Sequence, residues 1–156
     1  MSVFSTPSAR QINIGLTILR LAVGAIFIAH GGQKIFIFGF DGVAGSFAKM
    51  GIPMAEVVGP FVALVEFFGG WALIAGLLTR IASLGLASTM AVAILQVHMK
   101  QGFFNPGGIE FPMSLLGSTL LLAIAGAGAW SLDALIGRRD KVAEPVAQPA
   151  KIRRAA

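Results

Sequence analysis

Residues 57–78, VVGPFVALVEFFGGWALIAGLL, form an apolar stretch of 22 residues in which Glu66 is the single charged side chain. About 20 apolar residues are needed for one α-helical crossing of a bilayer, so this stretch predicts a transmembrane helix. Three further stretches have the same character: 12–30, 81–99 and 113–130. Such unbroken apolar runs exclude the alternating strands of a barrel. The sequence therefore predicts an all-α membrane protein, a bundle of four transmembrane helices.

The composition of the whole chain agrees with this interpretation. Of its 156 residues, 56% are hydrophobic and 12% are charged, and the mean hydropathy is +0.82. A soluble domain carries about 25% charged residues, so this chain has about half of the charge that a water-exposed surface needs. The chain also has no cysteine, which excludes disulfide exchange, thiolate metal sites and cysteine-bound iron–sulfur clusters.

The distribution of Lys and Arg predicts the orientation in the membrane. Outside the four spans, eight basic residues fall on the side that carries both termini: Arg10, Arg80, Arg138, Arg139, Lys141, Lys151, Arg153 and Arg154. The other side has three: Lys34, Lys49 and Lys100. Because cytoplasmic loops carry the excess of positive charge, both termini are predicted to be cytoplasmic.

The chain divides into three regions on this basis. Residues 1–11 form a cytoplasmic N-terminus, 12–137 the four-helix membrane domain, and 138–156 a basic, disordered cytoplasmic tail. A basic tail directly after an apolar span is typical of an anchor at anionic lipid. The tail has no aromatic residue and no predicted folded basic face, so we expect no nucleic-acid binding.

The connection between the first two spans, 31–56, is too long and too apolar for a plain loop. Asp41 is a candidate N-cap of a short helix on which Val43, Phe47 and Met50 share one face. We expect this helix to lie in the membrane interface, either as an anchor or as a lid over the outer mouth of the bundle.

Two of the spans contain one charge each, Arg20 in the first and Glu66 in the second. Arg20 precedes His30 by ten residues, and Glu66 follows Glu56 by ten. If His30 and Glu56 both mark the outer surface, a rise of 1.5 Å per residue puts both charges about 15 Å below it. An unpaired charge at that depth costs about 2.5–3.5 kcal/mol or more, so we predict an intramembrane ion pair between Arg20 and Glu66. This pair could serve helix packing, or it could take part in the function of the protein.

A second group of polar residues is predicted at the outer edge of the bundle. It consists of His30, Lys34, Glu56, His98 and Glu110. Two histidines and two carboxylates at one membrane face can bind a metal ion, ligate a haem or pass protons to a quinone head group. Alternatively, they are ordinary interfacial residues at helix ends. Two isolated histidines without a spacing signature do not indicate a haem, and no metal site is assigned.

Four motifs follow one another along the chain: LRLAVGAIFIAHGGQKIF at 19–36, EVVGPFVALVEFFGGWALIAGLLTR at 56–80, NPGGIEFPMSLL at 105–116 and GAGAWSLDALIG at 126–137. In this order they resemble the DoxX family of small four-helix bacterial membrane proteins, over about residues 15–137. The positions that match the family's motifs are Arg20, His30, Gly31, Lys34, Glu66, Arg80 and Asp133.

The resemblance implies a protein of the bacterial cytoplasmic (inner) membrane with a role beside a redox system. Relatives include a small membrane subunit of thiosulfate:quinone oxidoreductase, and members linked to oxidative-stress complexes with superoxide dismutase and a sulfurtransferase. We therefore expect an integral membrane subunit in contact with quinone. It is not expected to be a self-sufficient enzyme, because the chain has no nucleotide loop and no CxxC.

Two other functions remain open from the residues themselves. One is a small-solute transporter or channel with the charged pair in its path. The other is a purely structural assembly subunit of a membrane complex, with other subunits or further copies of this chain as partners.

Overall fold

The computed structural model describes residues 5–143, and all regular structure in that part of the chain is helical. This confirms the predicted all-α class. The α-helices are α1 (Ala9–Gly32), α2 (Gly39–Lys49), α3 (Ala55–Ala75), α4 (Thr79–Ala93), α5 (Glu110–Ala125) and α6 (Leu132–Ala143). A π-helical segment, Gln33–Phe38, continues α1, and a second one, Ile94–His98, continues α4 into a 3-10 turn at Met99–Gln101.

Three helical segments are long and apolar enough to cross a membrane, which agrees with the first three predicted spans. They are Ala9–Lys49, Ala55–Ala75 and Thr79–Gln101. Helix α5 is apolar but has only 16 residues. The fourth span was predicted over 113–130, but the helix ends at Ala125 because Gly126, at φ +81°, turns the chain out of the helix.

Large apolar side chains cover the outside of the bundle, which is the arrangement that lipid requires. Phe36 is 74% exposed and Ile124 is 76% exposed. Inside, a small apolar core joins the long helices: Val23, Phe27, Leu73, Leu86, Met90, Leu115 and Leu122. Helix α1 packs mainly against α3, and α4 packs mainly against α5.

Glycines let α1 and α3 approach until their backbones touch. A Cβ atom on Gly24 would lie 2.8 Å from the carbonyl oxygen of Gly70, and a Cβ on Gly70 would lie 2.8 Å from that of Gly24. About two turns farther along α1, a Cβ on Gly31 would overlap the backbone of Phe67. Small residues at such contacts are the usual means of close packing between membrane helices. These contacts fix the register of α1 on α3.

The short helix predicted in the first connection corresponds to α2. Its Val43 is 2% exposed and packs at Gly59 of α3. The prediction that Asp41 caps this helix is wrong, because the helix begins after Phe38 and no side chain bonds to its first turn. Asp41 lies inside the first turn instead.

The last described helix, α6, extends beyond residue 137 to Ala143. The first part of the predicted disordered tail, 138–143, is therefore helical. The rest of that tail, 144–156, lies outside the described residues, as do residues 1–4 of the predicted N-terminus.

Replacing Gly70 with alanine is expected to destabilise the protein by about 1–3 kcal/mol, because the new methyl group overlaps the backbone of α1. Gly117→Ala is the matched control, since a Cβ at Gly117 meets nothing within 4 Å. Thermal unfolding of the two variants in the same detergent tests this. Equal midpoints would contradict the proposed backbone contact.

Candidate functional site

The two ends of the bundle are named here by residues that lie at them: the Arg80 end, where α1 and α4 begin, and the His98 end, where α4 finishes. At the His98 end, both π-helical segments place a polar side chain. Lys34 lies in the first segment and His98 in the second. A π-helical turn inside an α-helix is costly and occurs frequently at functional sites.

Lys34 forms an ion pair with Glu66, between Nζ and Oε2. The Glu66 side chain is 4% exposed and that of Lys34 is 20% exposed. The contact of Gly31 with Phe67 explains this ion pair, because it brings the π-helical turn after α1, which carries Lys34, beside Glu66. The charge on α3 is thus neutralised from the far end of α1.

Arg20 does not contact Glu66, so the predicted pair between them is wrong. Its guanidinium donates hydrogen bonds to backbone carbonyls instead: Nη1 to Leu73 at 2.9 Å and Ile74 at 3.3 Å, and Nη2 to Trp130 at 2.6 Å. The prediction assumed that His30 and Glu56 lie at the same depth in the membrane. In the structure α1 continues past His30, and Gly24 lies beside Gly70, so the following turn of α3, and not Glu66, comes level with Arg20.

A cavity of about 270 Å³ opens between the helices at the His98 end; we call it the His98 cavity. Its wall is mainly apolar and includes Phe27, Met90 and Leu115. The polar side chains on its wall are His30, Lys34, Glu66, Thr89 and His98. Three residues of the predicted outer-edge cluster therefore meet here, and they are joined by Glu66, which the prediction assigned elsewhere.

His98 is held by a hydrogen bond between its Nδ1 and the carbonyl oxygen of Gly107, at 2.6 Å. Gly107 belongs to the turn that precedes α5, so this bond ties the end of α4 to the start of α5. The ring of His30 lies against Phe111, with 5.9 Å between ring centroids. The two histidines thus line the cavity from α1 and from α4.

The structure does not bring the other two residues of the outer-edge cluster into the cavity. Glu56 follows the first residue of α3, ten residues and about 15 Å farther along the axis than Glu66. It lines a separate pocket beside Asp41 and Pro60. The Glu110 carboxylate accepts a hydrogen bond from the backbone N–H of Asn105 at 2.7 Å, so it fixes the turn before α5. Among the side chains that the structure describes, in residues 5–137, no three His, Asp or Glu lie close enough to hold a metal ion.

At the Arg80 end a second polar network closes the bundle. The Asp133 carboxylate accepts hydrogen bonds from the N–H groups of Leu78 at 2.7 Å and Thr79 at 2.9 Å, which caps the start of α4. Gly76 takes part because it accepts from the Asp133 N–H at 2.8 Å, and a side chain on it would overlap the Arg20 guanidinium. Arg20 and Asp133, two of the positions that match the motifs, thus share this network.

Asn13 is a member of this network that sequence reasoning missed. Its Oδ1 accepts from the N–H of Ala129 at 2.8 Å, and so it attaches the chain after α5 to the start of α1. The only signal in the sequence is an amide inside an apolar span. In the structure Gly128 lies beside this amide.

The chain was compared with known proteins. Residues 15–99 match the family model described as DoxX. The chain is 34% identical over 134 residues to a Bacillus subtilis protein named "Putative oxidoreductase CatD", covering 85% of this chain and 94% of that protein. It is 33% identical over 131 residues to the Escherichia coli "Inner membrane protein YqjF", covering 81% and 95%. It is 36% identical over 124 residues to the E. coli "Inner membrane protein YphA", covering 76% and 87%. No solved structure matches the chain.

A double-mutant cycle is expected to show that Lys34 and Glu66 are energetically coupled. Lys34→Met and Glu66→Gln should interact by at least about 1 kcal/mol, because each leaves the other charge without its partner. Arg20→Met and Glu66→Gln should be additive within about 0.5 kcal/mol, since the structure separates them. Denaturant unfolding of the wild type, the three single variants and the two double variants in detergent measures both couplings. The opposite pattern would restore the Arg20–Glu66 pair.

Asp133→Ala is expected to lower stability by about 1 kcal/mol, because two N–H groups at the start of α4 lose their acceptor. Asp41→Ala is the control, since Asp41 caps no helix. Unfolding midpoints and hydrogen exchange at Thr79 provide the measurement. An effect of Asp41→Ala as large as that of Asp133→Ala would argue against the cap.

Proposed function

Because this chain belongs to the DoxX family of membrane proteins, we propose that it is the integral membrane subunit of a redox system and that it binds a quinone in the His98 cavity. The main observation that supports this proposal is the cavity itself. A mainly apolar wall with a few converging polar side chains is the usual form of a site for a small organic ligand. A quinone has this character, with a flat apolar ring and two oxygens at opposite ends.

The size of the cavity supports a ligand with a single ring. A protein cavity of about 150 Å³ accommodates benzene, so about 270 Å³ is enough for a ring that carries small substituents. The polar groups lie on different helices, with Lys34 in the segment that follows α1 and His98 in the one that follows α4. A ring between them would have a polar side chain near each end.

The electrons for this ligand must come from a partner protein. Reduction of a quinone to a hydroquinone takes two electrons and two protons. The sequence has no cysteine with which to bind an iron–sulfur cluster or to form a redox-active disulfide. The name of the B. subtilis relative, that of an oxidoreductase, supports a redox role. In this proposal the chain binds the quinone, and a second subunit of the complex supplies or takes the electrons.

We also propose the placement of the chain in the membrane. Helix α5 would be a fourth crossing, because it packs along α4 and begins at the His98 end. The Arg80 end would face the cytoplasm, as would both termini, since it has the excess of Lys and Arg. The names of the two E. coli relatives support the bacterial inner membrane.

Binding of a short-chain quinone to the protein in nanodiscs tests the proposal, with empty nanodiscs as background. The wild-type chain should bind decylubiquinone saturably. Ala93→Phe should weaken this binding at least about tenfold, because Ala93 lines the cavity and the larger ring fills it. Ala29→Phe is the matched control: Ala29 is exposed on α1 and is not part of the wall.

Three results would contradict the proposal. The first is equal binding by wild-type and Ala93→Phe protein, and the second is no binding above that of empty nanodiscs. The third is a solute flux in proteoliposomes that Ala93→Phe blocks, which would instead favour the transporter. Purification with a redox-active subunit would support the role in a complex.

A further inference from the structure

The His98 cavity offers its ligand more hydrogen-bond acceptors than donors, and His98 is the first reason. A carbonyl oxygen can only accept, so the 2.6 Å bond to Gly107 requires the His98 proton on Nδ1. In the neutral imidazole, Nε2 then carries a lone pair and no proton. The backbone of the turn before α5 thus fixes His98 as an acceptor.

Glu66 and Thr89 are acceptors for separate reasons. Oε2 of Glu66 is engaged by Lys34, and an ionised carboxylate has no proton to donate from its other oxygen. The Thr89 hydroxyl donates its proton to the carbonyl oxygen of Leu86, at 2.8 Å, so towards a ligand it can only accept. Three side chains on the wall therefore accept.

Donors on the wall are fewer. The Lys34 ammonium has three protons, of which Glu66 takes one, and so it can donate to a ligand. His30 is not committed, since its recorded contact is the ring of Phe111 and not a hydrogen bond. The cavity thus pairs one fixed cationic donor with three fixed acceptors.

From this balance we infer that the His98 cavity recognises the reduced, dihydroxy form of its ring ligand, a hydroquinone, in preference to the quinone. The two oxygens of a quinone only accept, so a quinone offers no proton to His98, Glu66 or Thr89. Each hydroxyl of a hydroquinone donates and accepts, so one can donate to His98 or Glu66 while the other accepts from Lys34. An unmatched polar contact costs more than a matched one gains, which makes the preference large. The inference rests on the proposed function and specifies which redox form the site binds.

The experiment compares three ligands of nearly the same shape on the wild-type protein in nanodiscs, under anaerobic conditions at pH 8. They are decylubiquinol, decylubiquinone and the dimethyl ether of the hydroquinone, which keeps both oxygens but has no hydroxyl proton. The hydroquinone is expected to bind about tenfold more tightly than either of the others. Because this comparison uses only the natural chain, it does not depend on the folding of any variant.

A pair of variants then assigns the preference to its residue. His98→Phe removes the acceptor and should make the hydroquinone and the quinone bind within about threefold of each other, with the quinone affinity nearly unchanged. Ala29→Phe, which adds a ring outside the wall of the cavity, should keep the tenfold preference.

Two results would overturn the inference, and they differ in what they leave standing. Quinone binding as tight as hydroquinone binding, or tighter, would exclude the preference and retain a quinone site. The absence of saturable binding for all three ligands would exclude both the preference and the proposed function. A hydroquinone that binds no more tightly than its dimethyl ether would show that the hydroxyl protons are not recognised.

Discussion

The rest of the structure depends on the backbone contact between α1 and α3. The carbonyl oxygen of Gly24 and that of Gly70 each lie where the other residue would carry a Cβ, and Gly31 lies on the backbone of Phe67. These contacts fix the register of the two helices. This register sets which polar groups share a level. It places Arg20 beside the last turn of α3 and Lys34 beside Glu66. A shift of one turn along α1 would separate Arg20, Lys34 and Glu66 from their partners, which is costly for charges inside a membrane.

The two ends of the bundle use their charges in different ways. At the Arg80 end, Arg20 and Asp133 bond to backbone groups that the helix termini leave without partners, and this holds the start of α4 in place. At the His98 end, Lys34 and His98 lie on π-helical segments around a cavity. The π-helical segments thus occur at the end of the bundle where the polar groups line a space.

The cavity combines two properties that belong together in a site for a membrane-soluble ligand. Its apolar wall favours a ligand that partitions into lipid, and its polar groups select among such ligands by hydrogen bonding. Because the Glu66 charge is compensated within the protein by Lys34, the ligand need not be charged. In the proposed function, this wall favours a neutral ring with hydroxyl groups over an ion, and electron transfer is assigned to a partner protein.

The sequence by itself determined the all-α class and three membrane spans, and it identified six of the side chains in the two polar networks: Arg20, His30, Lys34, Glu66, His98 and Asp133. Apolar runs of this length have one stable form in lipid, so no tertiary information was needed. The partners of the charged side chains could not be predicted in the same way. The prediction assumed that His30 and Glu56 lie at one level, and only the packing of Gly31 on Phe67 shows that Lys34 is the partner of Glu66. Likewise, the sequence contains His98 and Gly107, but their contact across nine residues fixes the proton on the ring, and this depends on how the turn folds. The membrane-spanning helices follow from the need to satisfy the backbone in lipid, whereas the contacts between polar side chains follow from the register of one helix on another.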